Sequence, residues 1–259
     1  MKIKFTLILT AFMLIGFSGV ANKKWGATGH RVVGAIADQY TTKKAKRHIE
    51  KILNHQSLAF VSTFGDEIKS DPRYKEFSAW HYVNMSFDET YETSTKNPQG
   101  DIVTGIAFCK QIIKDPKSSA EDKAFYLKML IHLVGDLHQP LHIGRLEDRG
   151  GNDIRVKWQG KDTNLHRVWD SQMIEAFNMS YSELAKNRAY LSKQQIKFLQ
   201  QGSVVDWVNE TQNLAKVVYG SVTYGENLGY AYSYKNNDVA RSQMQMAGLR
   251  LAKVLNELF

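Results

Sequence analysis

Apolar residues recur every three or four positions along most of this chain, which is the spacing that predicts amphipathic helices. The last stretch is predicted to be an amphipathic helix, with Val239, Met244, Leu251 and Leu255 among its apolar positions. The predicted helices cover 32–40, a second segment capped by Thr41 and Thr42 that runs through 53, 60–68, 101–114, a long segment capped by 118–122 that ends at 139, 165–177, 181–190, 203–219 and 236–258.

Two stretches depart from the helical pattern. Ile154, Val156 and Trp158 alternate with polar residues, so Asn152 to Trp158 is predicted to be a strand, half of a hairpin closed near Gly160. Residues 70–100 are polar, with scattered Pro, Asn and Ser, and are predicted to be an extended loop. We find no internal repeat or linker. The sequence therefore predicts a mostly α, single multi-helix domain over 22–259 with a small β-hairpin.

The first 21 residues have a different composition. A short positive start is followed by an apolar run from Phe5 to Val20 and by the small residues Gly19 to Ala21. This order predicts a secretory signal peptide over 1–21, and a retained N-terminal anchor is the alternative. The mature protein is then expected to be exported, periplasmic or secreted, without stable membrane association, and no protein partner is implied.

Net charge and cysteine content limit the partners and the covalent cross-links that the protein can have. The formal net charge of +8 favours polyanionic partners, although many basic proteins bind none. Cys109 is the only cysteine and lies in an apolar helical pattern, so an intramolecular disulfide is excluded. An exported protein without disulfides depends on its core or on bound metals for stability.

The segment from His132 to His142 carries the first chemical signal. His132 and Asp136 are four residues apart in a strongly apolar helix, so both project from one face. A carboxylate there is costly to bury unless a cation or hydrogen-bond donors compensate it. Pro140 ends the helix, so His142 can return as a third ligand. A zinc ion is one compensator, and a simple His–Asp hydrogen bond inside the core is the alternative.

Similar side chains occur elsewhere in apolar settings. His166 and Asp170 repeat the i, i+4 spacing on another predicted helix, whereas His48 and His55 lie among polar residues and are expected to be solvated. The candidate ligands are His30, Asp66, His81, His132, Asp136, His142, His166 and Asp170. These exceed the needs of one tetrahedral zinc, so two or three ions are expected, and imidazole-rich sites favour zinc over magnesium or calcium. Clustered zinc ions are suited to phosphoryl chemistry.

The order of these motifs resembles that of a known family. The motifs are Trp25-Gly-x-x-Gly-His30, Asp66 with Trp80-His81, His132-x3-Asp136-x5-His142, Gly150-Gly-Asn152 and Asn164-Leu-His166-x3-Asp170. Together they resemble the S1/P1 nucleases, zinc-dependent enzymes that prefer single strands and share a superfamily with zinc phospholipase C. The resemblance implies the mostly α fold of this superfamily. It also implies an endonuclease that cleaves single-stranded DNA and RNA to 5′-phosphorylated products and has 3′-nucleotidase activity on nucleotides.

The resemblance also implies three zinc sites. The first would use Asp66, His81, His132 and Asp136, and the second His142, His166 and Asp170. The third would use His30, Asp136 and the backbone amine and carbonyl of Trp25, if Trp25 is the mature N-terminus; otherwise two ions are expected. Asp136 would bridge the first and third ions, and a hydroxide between them would be the nucleophile.

Four further residues match family positions that contact substrate. Lys69 would steady the phosphate, Tyr82 would stack on a base, and Asn84 and Asn152 would contact the base edge. A solvated lysine at 69 and ordinary core packing of Tyr82 are the alternatives. Asn84 stands where several members have Asp, so base preference is expected to differ.

Two other departures concern the chain ends and the cysteine count. The best predicted cleavage site follows Ala21 and would leave Asn22 to Lys24 attached, which weakens the third zinc site, whereas cleavage or trimming after Lys24 restores it. The disulfides of fungal and plant members are impossible here, which suggests a bacterial source.

Two other functions stay open. One is a zinc-dependent phospholipase C, which is disfavoured by the short spacing between Trp25 and His30 and by Asp at position 170. The other is a non-catalytic zinc-binding or nucleic-acid-binding protein.

Overall fold

Side-chain caps set most of the helix starts. The side chain of the residue before each such helix accepts a hydrogen bond from a backbone N–H of its first turn, at Thr42, Ser57, Asp101, Ser119, Ser180, Ser192 and Ser203. Each cap contributes roughly 1 kcal/mol. These polar residues therefore mark the helix starts through contacts within the segment itself.

The computed structural model describes residues 26–259, so the predicted signal peptide over 1–21 and Trp25 lie outside the described residues. The α-helices are α1 Ala27–Tyr40, α2 Lys43–Ile52, α3 Leu58–Val61, α4 Phe64–Glu67, α5 Ile102–Lys114, α6 Ala120–Asp136, α7 Leu165–Arg167, α8 Met173–Glu175, α9 Tyr181–Lys186, α10 Lys193–Leu199, α11 Val204–Tyr219 and α12 Tyr230–Leu258. Short 3-10 segments occupy Ile68–Ser70, Pro72–His81 and Pro140–Ile143, and Val168–Gln172 is a π-helical turn.

Helix α6 lies at the centre of the main core. Its second half, from Met129 to Asp136, is buried on every side, because α5 packs on one flank while α1, α4 and α12 pack on the others. Helix α1 is in turn covered by the long C-terminal helix α12. The apolar residues of α6 thus carry His132 and Asp136 into the interior.

The predicted hairpin is one part of a three-stranded sheet. Strand β1 (Arg155–Trp158) pairs antiparallel with β2 (Lys161–Asn164), and Gln159 and Gly160 form the turn with φ of 49° and 82°. Strand β3 (Asn227–Leu228) pairs in parallel with β1 and was missed, because two residues show no alternation. Val156, Trp158 and Leu228 bury one face of this sheet in a second core.

Several predicted boundaries differ from the structure, among them the start of α1 at Ala27 and that of β1 at Arg155. Three others have a clear physical reason. The polar stretch 70–100 contains the 3-10 segment Pro72–His81, which begins where Asp71 caps the chain and buries Phe77. Helix α6 ends at Asp136 and not at 139. Proline disfavours helical dihedral angles at the residue before it, and Gln139 accordingly has a ψ of 116°. Helix α12 begins at Tyr230, earlier than predicted, because Tyr232 packs into the second core.

The predicted fold class is confirmed: the described chain is mostly α-helical with one small sheet. The short helix α10 was not predicted, since its two glutamines and two lysines leave little apolar periodicity. Over residues 26–259, none of the helices combines the length and the apolarity that a membrane crossing requires.

Candidate metal centre

Asp136, the last residue of α6, lies at the centre of a buried cluster of histidines. Its Oδ2 is 2.7 Å from His81 Nδ1 and 3.1 Å from His132 Nε2. Its Oδ1 is 3.3 Å from both His30 Nε2 and His142 Nδ1. All five side chains are at most 1% exposed. One carboxylate therefore faces four imidazoles that arrive from α1, two 3-10 segments and its own helix.

A second cluster adjoins the first through His142. The ligand-type atoms of His142, His166 and Asp170 all lie within 4.8 Å of one another, with His142 Nε2 3.4 Å from Asp170 Oδ1. Asp170 sits in the π-helical turn that follows α7, and such turns are frequent at functional sites. The i, i+4 spacing of His166 and Asp170 survives this change of helix, with Nε2 to Oδ2 at 3.7 Å.

Asp66 and Lys69 border the first cluster on its solvent side. Asp66 Oδ1 is 3.8 Å from His132 Nε2, and its side chain is 27% exposed. Lys69 Nζ lies 2.5 Å from Asp66 Oδ1 and 3.0 Å from His81 Nδ1. The structure thus brings all eight predicted side-chain ligands into two adjoining groups, with Lys69 beside one of them.

Backbone carbonyls fix the orientation of three of the rings. The contacts are His132 Nδ1 to Ser62 O at 2.8 Å, His142 Nδ1 to His81 O at 2.7 Å and His166 Nδ1 to Gly150 O at 2.7 Å. A carbonyl only accepts, so Nδ1 carries the proton and Nε2 keeps its lone pair. Metal-binding histidines are commonly held in this way through the second ring nitrogen.

The charge states also suit a cation. Burial would raise the pKa of the Asp136 carboxyl, but His132 and His142 outweigh it and hold the pKa well below its usual value. Burial, followed by the charges of His132 at His30 and of Lys69 at His81, lowers the pKa of both rings. Burial would lower the pKa of His132, but the charges of Asp136 and Asp66 outweigh it and raise that pKa. Ionised carboxylates and neutral imidazoles are the forms that bind a metal, so a cation that binds His132 displaces a proton from its ring.

Several buried polar atoms of the cluster have no hydrogen-bond partner among the described residues. They include both ring nitrogens of His30, Oδ1 of Asp136 and Oδ2 of Asp170. Leaving such atoms unsatisfied costs about 1–3 kcal/mol each, more for a charged group. A divalent cation bound between them would satisfy several at once, so the donor set fits zinc.

Two contacts were missed by sequence reasoning. Gln139 Nε2 donates to Asp170 Oδ1 at 2.9 Å, and only its place before Pro140 marks it in the sequence. The backbone N–H of Gly26 donates to the carbonyl oxygen of Asp170, which brings the start of the described chain to the second cluster. His138 stays outside: its Nδ1 contacts Val134 O, and burial and Arg250 lower its pKa to about 3.

Gly65 shows how tightly the cluster is packed. A Cβ at this position would lie 2.5 Å from Cδ2 of His132, a contact that the buried ring cannot relieve. We expect Gly65→Ala to displace His132 and to lower zinc affinity by about 10–100-fold, the effect of disturbing a ligand's support.

Zinc titration with a competing chelator measures this effect. Gly220→Ala is the matched control, because its Cβ meets nothing nearer than 3.5 Å. Equal zinc affinity in the two variants would show that His132 does not contribute to the site.

A cavity of about 590 Å³ opens beside the second cluster, with His142 and His166 in its wall. Tyr82, Asn84 and Asn152 also line it. Asn84 Oδ1 is buried without a hydrogen-bond partner, whereas Asn152 Nδ2 donates to Arg149 O at 2.8 Å. Three of the four predicted substrate residues therefore face one cavity, and Lys69 lies at the first cluster.

The sequence profile of the S1/P1 nuclease family matches residues 25–259. The chain belongs to this family. Endonuclease 3 of Arabidopsis thaliana is 31% identical over 261 residues, which covers 91% of this chain and 89% of that protein. Nuclease S1 of Aspergillus oryzae is 31% identical over 183 residues, covering 67% of this chain and 63% of that protein. Nuclease P1 of Penicillium citrinum is 31% identical over 158 residues, 58% of each chain.

Membership of the S1/P1 nucleases agrees with the geometry. The resemblance drawn from the ordered His and Asp motifs is confirmed. The family is zinc-dependent, and the two His/Asp groups of this S1/P1 nuclease could hold metal ions.

Proposed function

We propose that this protein is a zinc-dependent nuclease that hydrolyses phosphodiester bonds in single-stranded DNA and RNA, leaves 5′-phosphates and also acts on 3′-nucleotides. The observation that carries the proposal is the convergence of buried imidazoles and carboxylates on Asp136 and Asp170. The cavity lined by Tyr82 beside these groups supports an unpaired base as part of the substrate.

We propose three zinc sites. His81, His132, Asp136 and Asp66 would hold one ion, and His142, His166 and Asp170 a second. His30 and Asp136, with the backbone of Trp25, would hold the third. Zinc, when bound, lowers the pKa of a water molecule toward neutrality and stabilises charge on phosphoryl oxygens.

The side chains around the ions have separate tasks in this proposal. Asp136 would help to hold two ions, because its two oxygens face different histidines. Lys69 supplies a positive charge at the more open side of the cluster, where it can hold a phosphate oxygen. Asn84 and Asn152 offer amide donors and acceptors to a base edge.

We expect Tyr82→Ala to raise KM for single-stranded nucleic acid about tenfold while kcat and zinc content stay unchanged. Stacking of a base on an aromatic ring is worth roughly 1–3 kcal/mol, and alanine removes that contact without touching a ligand. Steady-state kinetics and metal analysis on the same preparation measure both quantities. Tyr82→Phe keeps the ring and is the matched control; a loss of zinc in Tyr82→Ala would show that the residue supports the cluster.

A side-by-side assay tests the substrate class. Zinc-loaded protein is offered single-stranded RNA and phosphatidylcholine at equal phosphodiester concentration. Cleavage of RNA with 5′-phosphorylated products supports the proposal. Faster hydrolysis of phosphatidylcholine would assign the protein to phospholipase chemistry, and binding of RNA without hydrolysis at any pH would leave a non-catalytic role.

We also propose that residues 1–21 are a cleaved signal peptide, that the protein is exported, and that 22–259 form the catalytic domain. Intact-mass measurement of the exported protein gives its first residue, and metal analysis gives the number of ions. Three zinc ions are expected if the chain begins at Trp25 and two if it begins earlier. Three ions in a chain that still carries Asn22 to Lys24 would contradict the use of a free Trp25 amine.

A further inference from the structure

A groove of about 700 Å³ lies along α10, away from the cavity beside the metal centre. Leu191, Gln194, Lys197 and Phe198 line it. The Phe198 side chain is 69% exposed, and Tyr190, which precedes the groove in the chain, is 96% exposed. Two large aromatic rings thus stand in solvent within nine residues of one another.

The charged side chains of the segment around α10 are all basic. Residues 184–203 contain four basic side chains and no acidic one. Arg188 is hydrogen-bonded within the protein, because it donates to Gln39 Oε1 at 2.7 Å. The other three, Lys186, Lys193 and Lys197, form no ion pair with any acidic side chain in 26–259. Their charge remains available to a partner.

Helix α10 arranges its two lysines and its one aromatic ring in adjacent rows. Lys193 and Lys197 are four residues apart and share one face, and Gln194 and Phe198 form the neighbouring row with the same spacing. A row of ammonium groups beside a row that carries an aromatic ring and an amide matches a strand with phosphates on one edge and bases on the other.

The groove is also rigidly attached. Gln200 Nε2 donates to Leu249 O at 2.8 Å, and Arg250 Nε donates to Leu199 O at 2.9 Å. Arg250 Nη1 also lies 3.2 Å from His138 Nε2, in the segment that joins Asp136 to His142. These contacts fix the end of α10 to the chain that carries the metal cluster, so the helix that bears Lys193, Lys197 and Phe198 is in place before a partner binds.

We propose that this groove, here named the α10 groove, is a second binding site for single-stranded nucleic acid, outside the catalytic cavity. The inference rests on the proposed function and extends it: bases stack on Tyr190 and Phe198, and Lys193 and Lys197 hold the phosphates between them. Long single strands are then captured at two places, and short substrates only at the catalytic cavity.

A variant that removes both rows tests the proposal: Tyr190→Ser, Lys193→Gln, Lys197→Gln and Phe198→Ser combined. All four side chains are exposed, so the fold is expected to survive. The matched control makes the same exchanges elsewhere, at Tyr224→Ser, Tyr230→Ser, Lys43→Gln and Lys44→Gln, which are also exposed.

The zinc-loaded enzymes are compared on a 30-nucleotide single-stranded DNA and on a dinucleotide. We expect the groove variant to raise KM for the 30-mer at least about tenfold. The salt dependence of its kcat/KM becomes shallower by about 1.4 units of slope, roughly 0.7 for each of the two lysines removed. Its kcat/KM on the dinucleotide is expected to equal that of the unmodified enzyme, and the control variant is expected to match the unmodified enzyme on both substrates.

A binding measurement separates this proposal from the proposed function. Fluorescence anisotropy is measured with a 30-nucleotide phosphorothioate strand, which keeps the natural sugars, the bases and one negative charge per linkage and is hydrolysed more slowly than a phosphodiester strand. At least about tenfold weaker binding by the groove variant is the expected result, and it stands even if no hydrolysis of nucleic acid is found. Equal binding by the two variants would overturn the proposal.

Two further results would also overturn it. Equal losses on the 30-mer and the dinucleotide would mean that the substitutions act on the catalytic cavity. Loss of binding to phosphatidylglycerol vesicles, with nucleic-acid binding unchanged, would assign the α10 groove to a membrane surface.

Discussion

Replacing Asp136 by Asn is expected to lower kcat/KM for single-stranded RNA by more than about 100-fold. Losing a contact that only supports a ligand already costs about 10–100-fold in affinity or activity, and here the ligand itself changes. The carboxylate of Asp136 faces His81 and His132 through one oxygen and His30 and His142 through the other. An amide keeps the shape of the side chain but removes the charge, so two ions are weakened by one substitution.

The controls for Asp136→Asn address folding and burial. Asp101→Asn places the same change at a buried carboxyl that caps α5, and asparagine is a good cap. That variant is expected to keep its zinc content, whereas Asp136→Asn loses at least one ion per chain. Circular dichroism confirms that both are folded. Turnover near that of the unmodified enzyme in a folded Asp136→Asn variant would rule out the bridging role.

Removing metal with EDTA is expected to abolish hydrolysis and to lower the Tm by about 10 °C. A ligand at a thousand times its Kd stabilises the folded state by about 4 kcal/mol, and 1 kcal/mol corresponds to roughly 2–4 °C for a chain of this size. Without metal, buried polar atoms of His30, Asp136 and Asp170 have no partner, and this lowers the stability of the apo protein further.

Add-back of metal identifies the ion. Zinc is expected to restore both activity and Tm, and magnesium to restore little of either, because imidazole-rich sites disfavour a cation that prefers oxygen ligands. Differential scanning calorimetry and an RNA hydrolysis assay on the same samples measure the two effects. Full activity in excess EDTA would show that the reaction does not depend on these clusters.

The site was more predictable from sequence than the details of the fold. Spacing placed His132 with Asp136 and His166 with Asp170, because i, i+4 residues share a helix face even when the helix has a π-helical turn, as it has at Asp170. The pairing of distant groups, such as His81 with Asp136 across 55 residues, came only from the family resemblance. No periodicity within either segment encodes that contact.

The features that sequence reasoning missed depend on tertiary contacts. Strand β3 has two residues and forms because β1 offers a free edge beside it. Helix α10 is polar, and it is held by its Ser192 cap and by Arg250 of a distant helix. Gln139 gains its role from the position of Asp170, 31 residues away. Such contacts exist only once the helices have packed.

Diffraction from zinc-loaded crystals on both sides of the zinc absorption edge tests the central claim most directly. We predict an anomalous peak between His81, His132 and Asp136, a second between His142, His166 and Asp170, and a third beside His30 if the chain begins at Trp25. Crystals of the zinc-loaded protein with no anomalous peak at either of the first two positions would contradict the account.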